Sequence, residues 1–182
     1  MRELLQIIFD ALSLGSLYAL GALGIALGLV AGYFGGVVDS VIMRIADVQL
    51  TFPAILIALL VNGVAKSLLG NRLDEMSTLG VLIIAIGLSF WVQYARTVRG
   101  SVMVEKNKDY VAAAQLIGLP AQKIMLRHVL PNTMGPILVI ATINLALAII
   151  TEATLSFLGS GMPDTMPSLG TLIRIGNNYL FA

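Results

Sequence analysis

The run PILVIATINLALAIITEA, residues 136–153, has one charge in eighteen positions, Glu152. A stretch this apolar constrains a fold more than any other feature of the chain, because a helix needs roughly 20 mostly apolar residues to cross a bilayer. Three more stretches meet that condition, at about residues 4–30, 37–61 and 79–95. Composition agrees: 58% of the 182 residues are hydrophobic and 12% charged, against about 45–50% and about 25% in soluble domains. The expected fold is an all-α membrane protein, a polytopic transmembrane bundle of about four spanning helices. There is no cysteine, hence no disulfide and no thiolate metal site. A net charge of +1 without a basic run gives nucleic acid nothing to bind. The first apolar run carries Glu3 and Asp10 and is too long for a cleavable signal core.

From the end of the first span onward, Gly24, Gly28, Gly32 and Gly36 recur every four residues, with at least the first three on one helical face. Small residues so spaced let a second helix approach closely. AGYFGG, residues 31–36, reads as a turn. The second span opens with Asp39, Arg44, Asp47 and Gln49. Arg44 and Asp47 are three apart and are expected to pair on one helical face. Pro53 is expected to kink or break this helix, since it removes a backbone donor and clashes with the preceding turn. Residues 66–77 form a polar link. Trp91 and Tyr94 suggest an interfacial belt closing the third span. Residues 96–131 then hold six of the eleven Lys and Arg residues: Arg96, Arg99, Lys106, Lys108, Lys123 and Arg127. Cytoplasmic loops are enriched in such residues. This loop is therefore expected inside, with Met1 and the 66–77 link outside. The tail, residues 154–182, reads as an external loop with one short amphipathic helix near 168–175.

The positive segment has internal order. Asp109 is a candidate N-cap for a helix over 110–117, whose residues Tyr110, Ala113, Ala114 and Ile117 share a face. Gly118 is a helix stop able to take the left-handed conformation. Pro120 suits the first position of a second helix, in which Ala121, Ile124, Met125 and Val129 share a face opposite Lys123 and Arg127. Leu130-Pro131 is expected to end it. The result is a helix–turn–helix outside the lipid with a modest apolar stripe. That stripe needs a cover: the protein's own helix ends, the membrane surface, or a groove on a partner.

DYVAAAQLIGLPAQKIMLRHVLPN, residues 109–132, resembles the cytoplasmic coupling loop of ABC importer permeases. The general pattern of that family is Glu-Ala-Ala, three residues, Gly, nine residues, Ile, one residue, Leu-Pro. This chain matches at Ala113, Ala114, Gly118, Leu130 and Pro131 and departs at Ala112 and His128. Asp109-Tyr110-Val111 before the alanines, and Arg127-His128 with Leu130-Pro131-Asn132 after them, are similar to the dipeptide, oligopeptide and nickel branch. So are residues 31–53 and 152–170, and the resemblance covers about residues 28–176. It implies a permease subunit of an ATP-driven importer of peptides or a related small solute. The loop residues Asp109, Tyr110, Ala113, Ala114, Gly118, Leu119, Pro120, Arg127, His128, Leu130 and Pro131 would engage a cytosolic ATPase. Implied partners are ATPase subunits, a second homologous permease subunit, an external binding protein and lipid. Relative to that branch, a span at either end is expected to be missing.

No serine, carboxylate or Gly-rich constellation suggests catalysis, and no Gly-x-x-x-x-Gly-Lys-Ser/Thr sequence is present. The chain is expected to be no enzyme and to hold no cofactor, with ATP bound by other subunits. His128 stands alone and is expected to be structural. Glu152 is a candidate for the transport path or for a structural hydrogen bond. Two alternatives remain at this point. Residues 9–24 resemble, more weakly, the opening of branched-chain amino-acid permeases. An ion-coupled secondary transporter would use a helix broken at Pro53, but would also need paired acidic groups at mid-depth.

Overall fold

The structure is a computed structural model and describes residues 21–69, 75–161 and 168–180. All regular elements among these are helical: α1 Gly21–Phe34, α2 Gly36–Leu50, α3 Ala54–Leu69, α4 Glu75–Glu105, α5 Asp109–Leu116 and α6 Ala121–Ile124. A π-helical segment, Met125–Val129, leads into α7 Leu130–Asn132, α8 Met134–Phe157 and α9 Leu169–Leu180. By length and composition α4, over Gly80–Glu105, and α8 can each cross a membrane, and α2 with α3 can serve as one broken span. Most of the expected first span lies outside the described residues; its visible part is α1.

The chain divides into two compact units. One contains residues 21–51 and 91–144. In it the glycines of α1 lie directly on α4. A Cβ at Gly24 would stand 2.9 Å from Tyr94 Cβ, at Gly28 2.9 Å from Val98 Cβ, and at Gly32 2.9 Å from the Arg99 carbonyl. The contacts advance together along both helices, so α1 and α4 run in the same direction. Gly35 and Gly36, at φ 66° and 56°, turn the chain back. α2 then descends along α4: Asp39 pairs with Arg99, Asp47 with Arg96, and Gln49 Oε1 accepts from Trp91 Nε1 at 2.6 Å. The expected Arg44–Asp47 pair is therefore corrected. Asp47 bonds across to α4, and Arg44 is exposed. A cation on a packed neighbouring helix beats one on the same helix, because it joins two elements and is held there by their packing.

Three expectations about α4 change with this arrangement. The helix does not stop near residue 95 but runs ten residues further, to Glu105. Arg96 and Arg99 do not force it out into a loop because their charges are neutralised by α2. Trp91 is buried with its indole N–H bonded to Gln49, not part of an exposed belt. Lys106 closes the same end of the unit, donating to the Gly32 carbonyl at 2.7 Å where α1 leaves its carbonyls unpaired.

The other unit contains, among the described residues, 52–69, 75–90, 145–161 and 168–180. Its core is Ala58, Leu82, Ala85, Ile86, Phe90, Ala148 and Leu155. Helical structure breaks at Thr51–Pro53, as expected, and α3 restarts with the Leu56 and Ile57 amides bonded to the Pro53 carbonyl. α8 continues to Phe157, past the expected end of its span. Gly159, at φ 74°, then stops it: the Gly159 amide reaches the Ser156 carbonyl and the Ser160 amide the Leu155 carbonyl. Asn62 donates to the Ser160 carbonyl and ties this end to α3. The tail is less loop-like than expected, because α9 occupies 169–180, with the Ser168 hydroxyl accepting from the Thr171 amide at 3.1 Å as a cap. A Cβ at Gly170 would lie 2.7 Å from Ser156 Cβ, so only glycine lets α9 touch α8 there.

Candidate functional site

The segment that follows α4 is a bent knob built from two arms and one glycine. Lys108, extended at φ −81° and ψ 152°, is the N-cap of the first arm. The expected cap, Asp109, sits one position inside and forms no side-chain cap bond. Its carboxylate lies in the first turn, where negative charge favours a helix N-terminus. The arm ends at Ile117, and Gly118 takes φ 81° as expected. The Gly118 amide bonds the Gln115 carbonyl at 2.9 Å, and the Leu119 amide bonds the Ala114 carbonyl at 3.2 Å. These two bonds form a left-handed helix stop. Nothing lies within 4 Å of a Cβ at Gly118, so glycine is required by the backbone angle and not by crowding.

Pro120 precedes the second arm as its N-cap, one residue before the expected position, and its carbonyl accepts the Lys123 and Ile124 amides. Pro131 does not end the arm. The helix widens to a π turn over Met125–Val129 and proceeds through α7 to Asn132. A proline inside an α-helix removes one backbone bond and crowds the carbonyl four residues before it. The wider turn immediately upstream relieves that crowding at Arg127.

The apolar stripe is covered by the protein itself. Val111 and Ala114 of the first arm, with Ile124, Met125 and Val129 of the second, are buried in one cluster with Leu29, Val98, Val102 and Ile137. Tyr110, Leu119 and Leu130 pack on its edge. The expected inward face is thus corrected for the first arm: Val111 points in, while Ala113 and Ile117 point out. What the knob shows outward is a different apolar set, with Leu116 89% exposed, Ile117 78% and Leu126 61%. Lys123 and Arg127 are exposed on the second arm beside Leu126.

A polar relay holds the two arms to the end of α4. The Tyr110 hydroxyl donates to Glu105 Oε1 at 2.6 Å. Asn132 Nδ2 donates to the Tyr110 oxygen at 3.3 Å and to the His128 carbonyl at 2.6 Å. A phenol has one proton, and the short bond to the carboxylate takes it. Glu105 is 8% exposed as a residue and also bridges Lys108 at 2.9 Å. Burial, with the Glu105 carboxylate second, pushes the Tyr110 hydroxyl up to about 12, so it remains a donor at neutral pH. His128 enters this relay through its backbone carbonyl, which any residue would supply.

The loop residues expected as a group are thus brought together. Arg44 and Asp47 lie on α2 in the same unit, and Pro53 and Glu152 lie in the other. Glu152 Oε1 accepts from Ser156 at 2.6 Å, one turn further along α8. Sequence reasoning did not single out Glu105, Leu116 or Leu126, and it named Val111 and Asn132 only as part of the family resemblance. A donor–acceptor pair five residues apart across a helix break carries no periodic signal, and inward and outward apolar residues look alike until the arms are docked.

Residues 24–182 match the family described as binding-protein-dependent transport system inner membrane component. The chain is 37% identical over 154 residues to the oligopeptide transport system permease protein OppC of Bacillus subtilis, covering 85% of this chain and 47% of that protein. It is 34% identical over 161 residues to the dipeptide transport system permease protein DppC of Haemophilus influenzae, covering 88% and 51%. It is 36% identical over 152 residues to the glutathione transport system permease protein GsiD of Pectobacterium atrosepticum, covering 84% and 47%. The chain spans about half the length of these relatives. Helices able to cross a membrane, a glycine-hinged knob beyond α4 and this extent of matching lead to one conclusion: the chain belongs to the family of binding-protein-dependent transport system inner membrane components.

Proposed function

We propose that this chain is a permease subunit of an ATP-driven importer that moves peptides or a related small solute across the cell membrane. The observation that carries the proposal is the knob. Its inward residues are locked to α1, α4 and α8, while Leu116, Ile117 and Leu126 stand in solvent with Lys123 and Arg127 beside the last. Burying each large apolar side chain is worth about 1.5–3 kcal/mol, so a partner groove would gain substantially from covering them. The partner is a cytosolic ATPase subunit, which binds the ATP. A second permease subunit and an external binding protein complete the assembly. The matched relatives carry oligopeptides, dipeptides and glutathione by name, all of which contain amide-linked amino acids. That shared chemistry favours peptides over nickel as cargo. The knob then faces the cytosol, and so does the Gly35–Gly36 turn, because Lys106 ties it to the same end of α4.

The native chain has no cysteine, so a single Gln122→Cys label is unambiguous. Crosslinking from this exposed position is expected to capture an ATPase subunit in membranes, and an impermeant reagent added outside cells is expected to leave it unlabelled. Outside labelling, or crosslinking that never yields an ATPase, contradicts the proposal.

A further inference from the structure

The apolar cluster under the knob and the polar relay beside it have different mechanical properties. Hydrophobic contact is non-directional, so an apolar face tolerates sliding with little change in buried area. A hydrogen bond weakens steeply once its angle or length departs from the optimum, and one with a charged partner is the stronger to lose. The covalent link from α4 to the first arm is the short Lys106–Lys108 turn, in which the Asn107 and Lys108 amides bond carbonyls at 3.4 and 3.2 Å. The second arm has no direct covalent link to α4. Among the described residues, the Tyr110 hydroxyl joins all three parts by hydrogen bonds: Glu105 at the end of α4, its own first arm, and Asn132 at the end of the second. Asn132 in turn holds the His128 carbonyl, inside the π turn.

We infer that Glu105, Tyr110 and Asn132 form a positioning clamp that makes α4 and both arms of the knob move as one body, so that displacement of the knob reaches the membrane span instead of dissipating in the link. This rests on the reading of the knob as the ATPase-engaging element. In this reading the three residues act by fixing the register of α4 and the two arms, not by contacting cargo or nucleotide. Tyr110→Phe deletes one oxygen and keeps the ring against the cluster. Asn132→Asp is isosteric but cannot donate, and it sets an acceptor against two others. Asn132 is exposed, so this change leaves the core untouched.

The test uses the full transporter, with ATPase subunits, sister permease and binding protein, in proteoliposomes. The readout is ATP hydrolysed per cargo molecule taken up, normalised to assembled complex. A clamp predicts that Tyr110→Phe and Asn132→Asp each raise this ratio about tenfold, the scale expected for one hydrogen bond in a chain that includes a charged group. The double variant is then no worse than either single, because both break one chain. A purely stabilising role would lower the yield of complex and leave the ratio unchanged. An unchanged ratio in both variants, with ATP-driven uptake normal in the native complex, overturns the clamp and leaves the functional reading standing. Absence of ATP-driven uptake in the native complex overturns both.

Discussion

α4 and α8 both have the length and apolar character to cross a bilayer, yet 56% of the apolar stretch of α4 is buried against 22% for α8. α4 is the less apolar of the two in sequence, with Arg96, Arg99 and Glu105 in its last three turns. It is nevertheless the helix on which α1 and α2 are assembled, through three glycines, two Asp–Arg pairs and one indole bond. α8 buries a narrow stripe, Ile137, Asn144, Ala148, Thr151 and Leu155, at spacings of seven, four, three and four, with Ser156 beside its last member. Its other faces, including Leu138, Val139, Ile143 and Ile150, are open. Apolar character in a membrane chain therefore marks what meets lipid or another subunit. Internal packing is marked by small residues and by polar pairs, since lipid satisfies an aliphatic side chain as well as protein does.

The sharpest way to break this contrast is Gly28→Leu. A Cβ there already lies 2.9 Å from Val98 Cβ and collides with the Ala95 carbonyl, which is backbone and cannot rotate away. A loss of about 3 kcal/mol is expected, or failure to fold, read as unfolding of purified protein in detergent. A native-like melting curve would mean that α1 and α4 do not approach so closely. Arg99→Met comes next, because it strands the half-sheltered Asp39 carboxylate. About 2 kcal/mol is expected by the same measurement, less than for a fully buried pair.

Gly118→Ala, in the knob that links α4 to α8, forces a side chain into a left-handed angle without any clash. The expected cost is about 1–2 kcal/mol. The protein should still insert and fold, with uptake per ATP falling; unchanged uptake would show that the elbow angle is not needed. Asp47→Asn breaks an exposed pair and is expected to cost less than about 1 kcal/mol. Val139→Ala on the open face of α8 should change stability in detergent by about 0.5 kcal/mol or less. A larger effect there would mean that this face is packed within the chain.

Much of the site was legible in the primary structure where the cause is local. Gly118 was readable because few residues other than glycine take φ near 80°, and Pro53 because a proline lacks the donor a helix needs. The glycine series of α1 was readable as a packing face from its spacing alone. Other features were not. The Arg44–Asp47 expectation failed because helical spacing proposes a partner on the same element, whereas the bond formed depends on which helix lies opposite. The end of α4 was misplaced because a positive charge looks like an exit from the membrane until its counter-ion is known. The fate of Pro131 was missed because a proline usually ends a helix, whereas here a wider turn upstream lets the helix continue through it.

Taken alone, the sequence determined that the chain is a helical membrane protein, that its backbone turns at Gly118 and that helical structure breaks before Pro53. Those outcomes follow from solvent and from single-residue sterics, which act at a position whatever surrounds it. Tertiary structure decided which cations are neutralised, which apolar residues of the knob are hidden and which are offered, and that Tyr110 joins three elements. Each of these is a choice between chemically equal candidates, and only the placement of a distant segment beside one of them makes the difference.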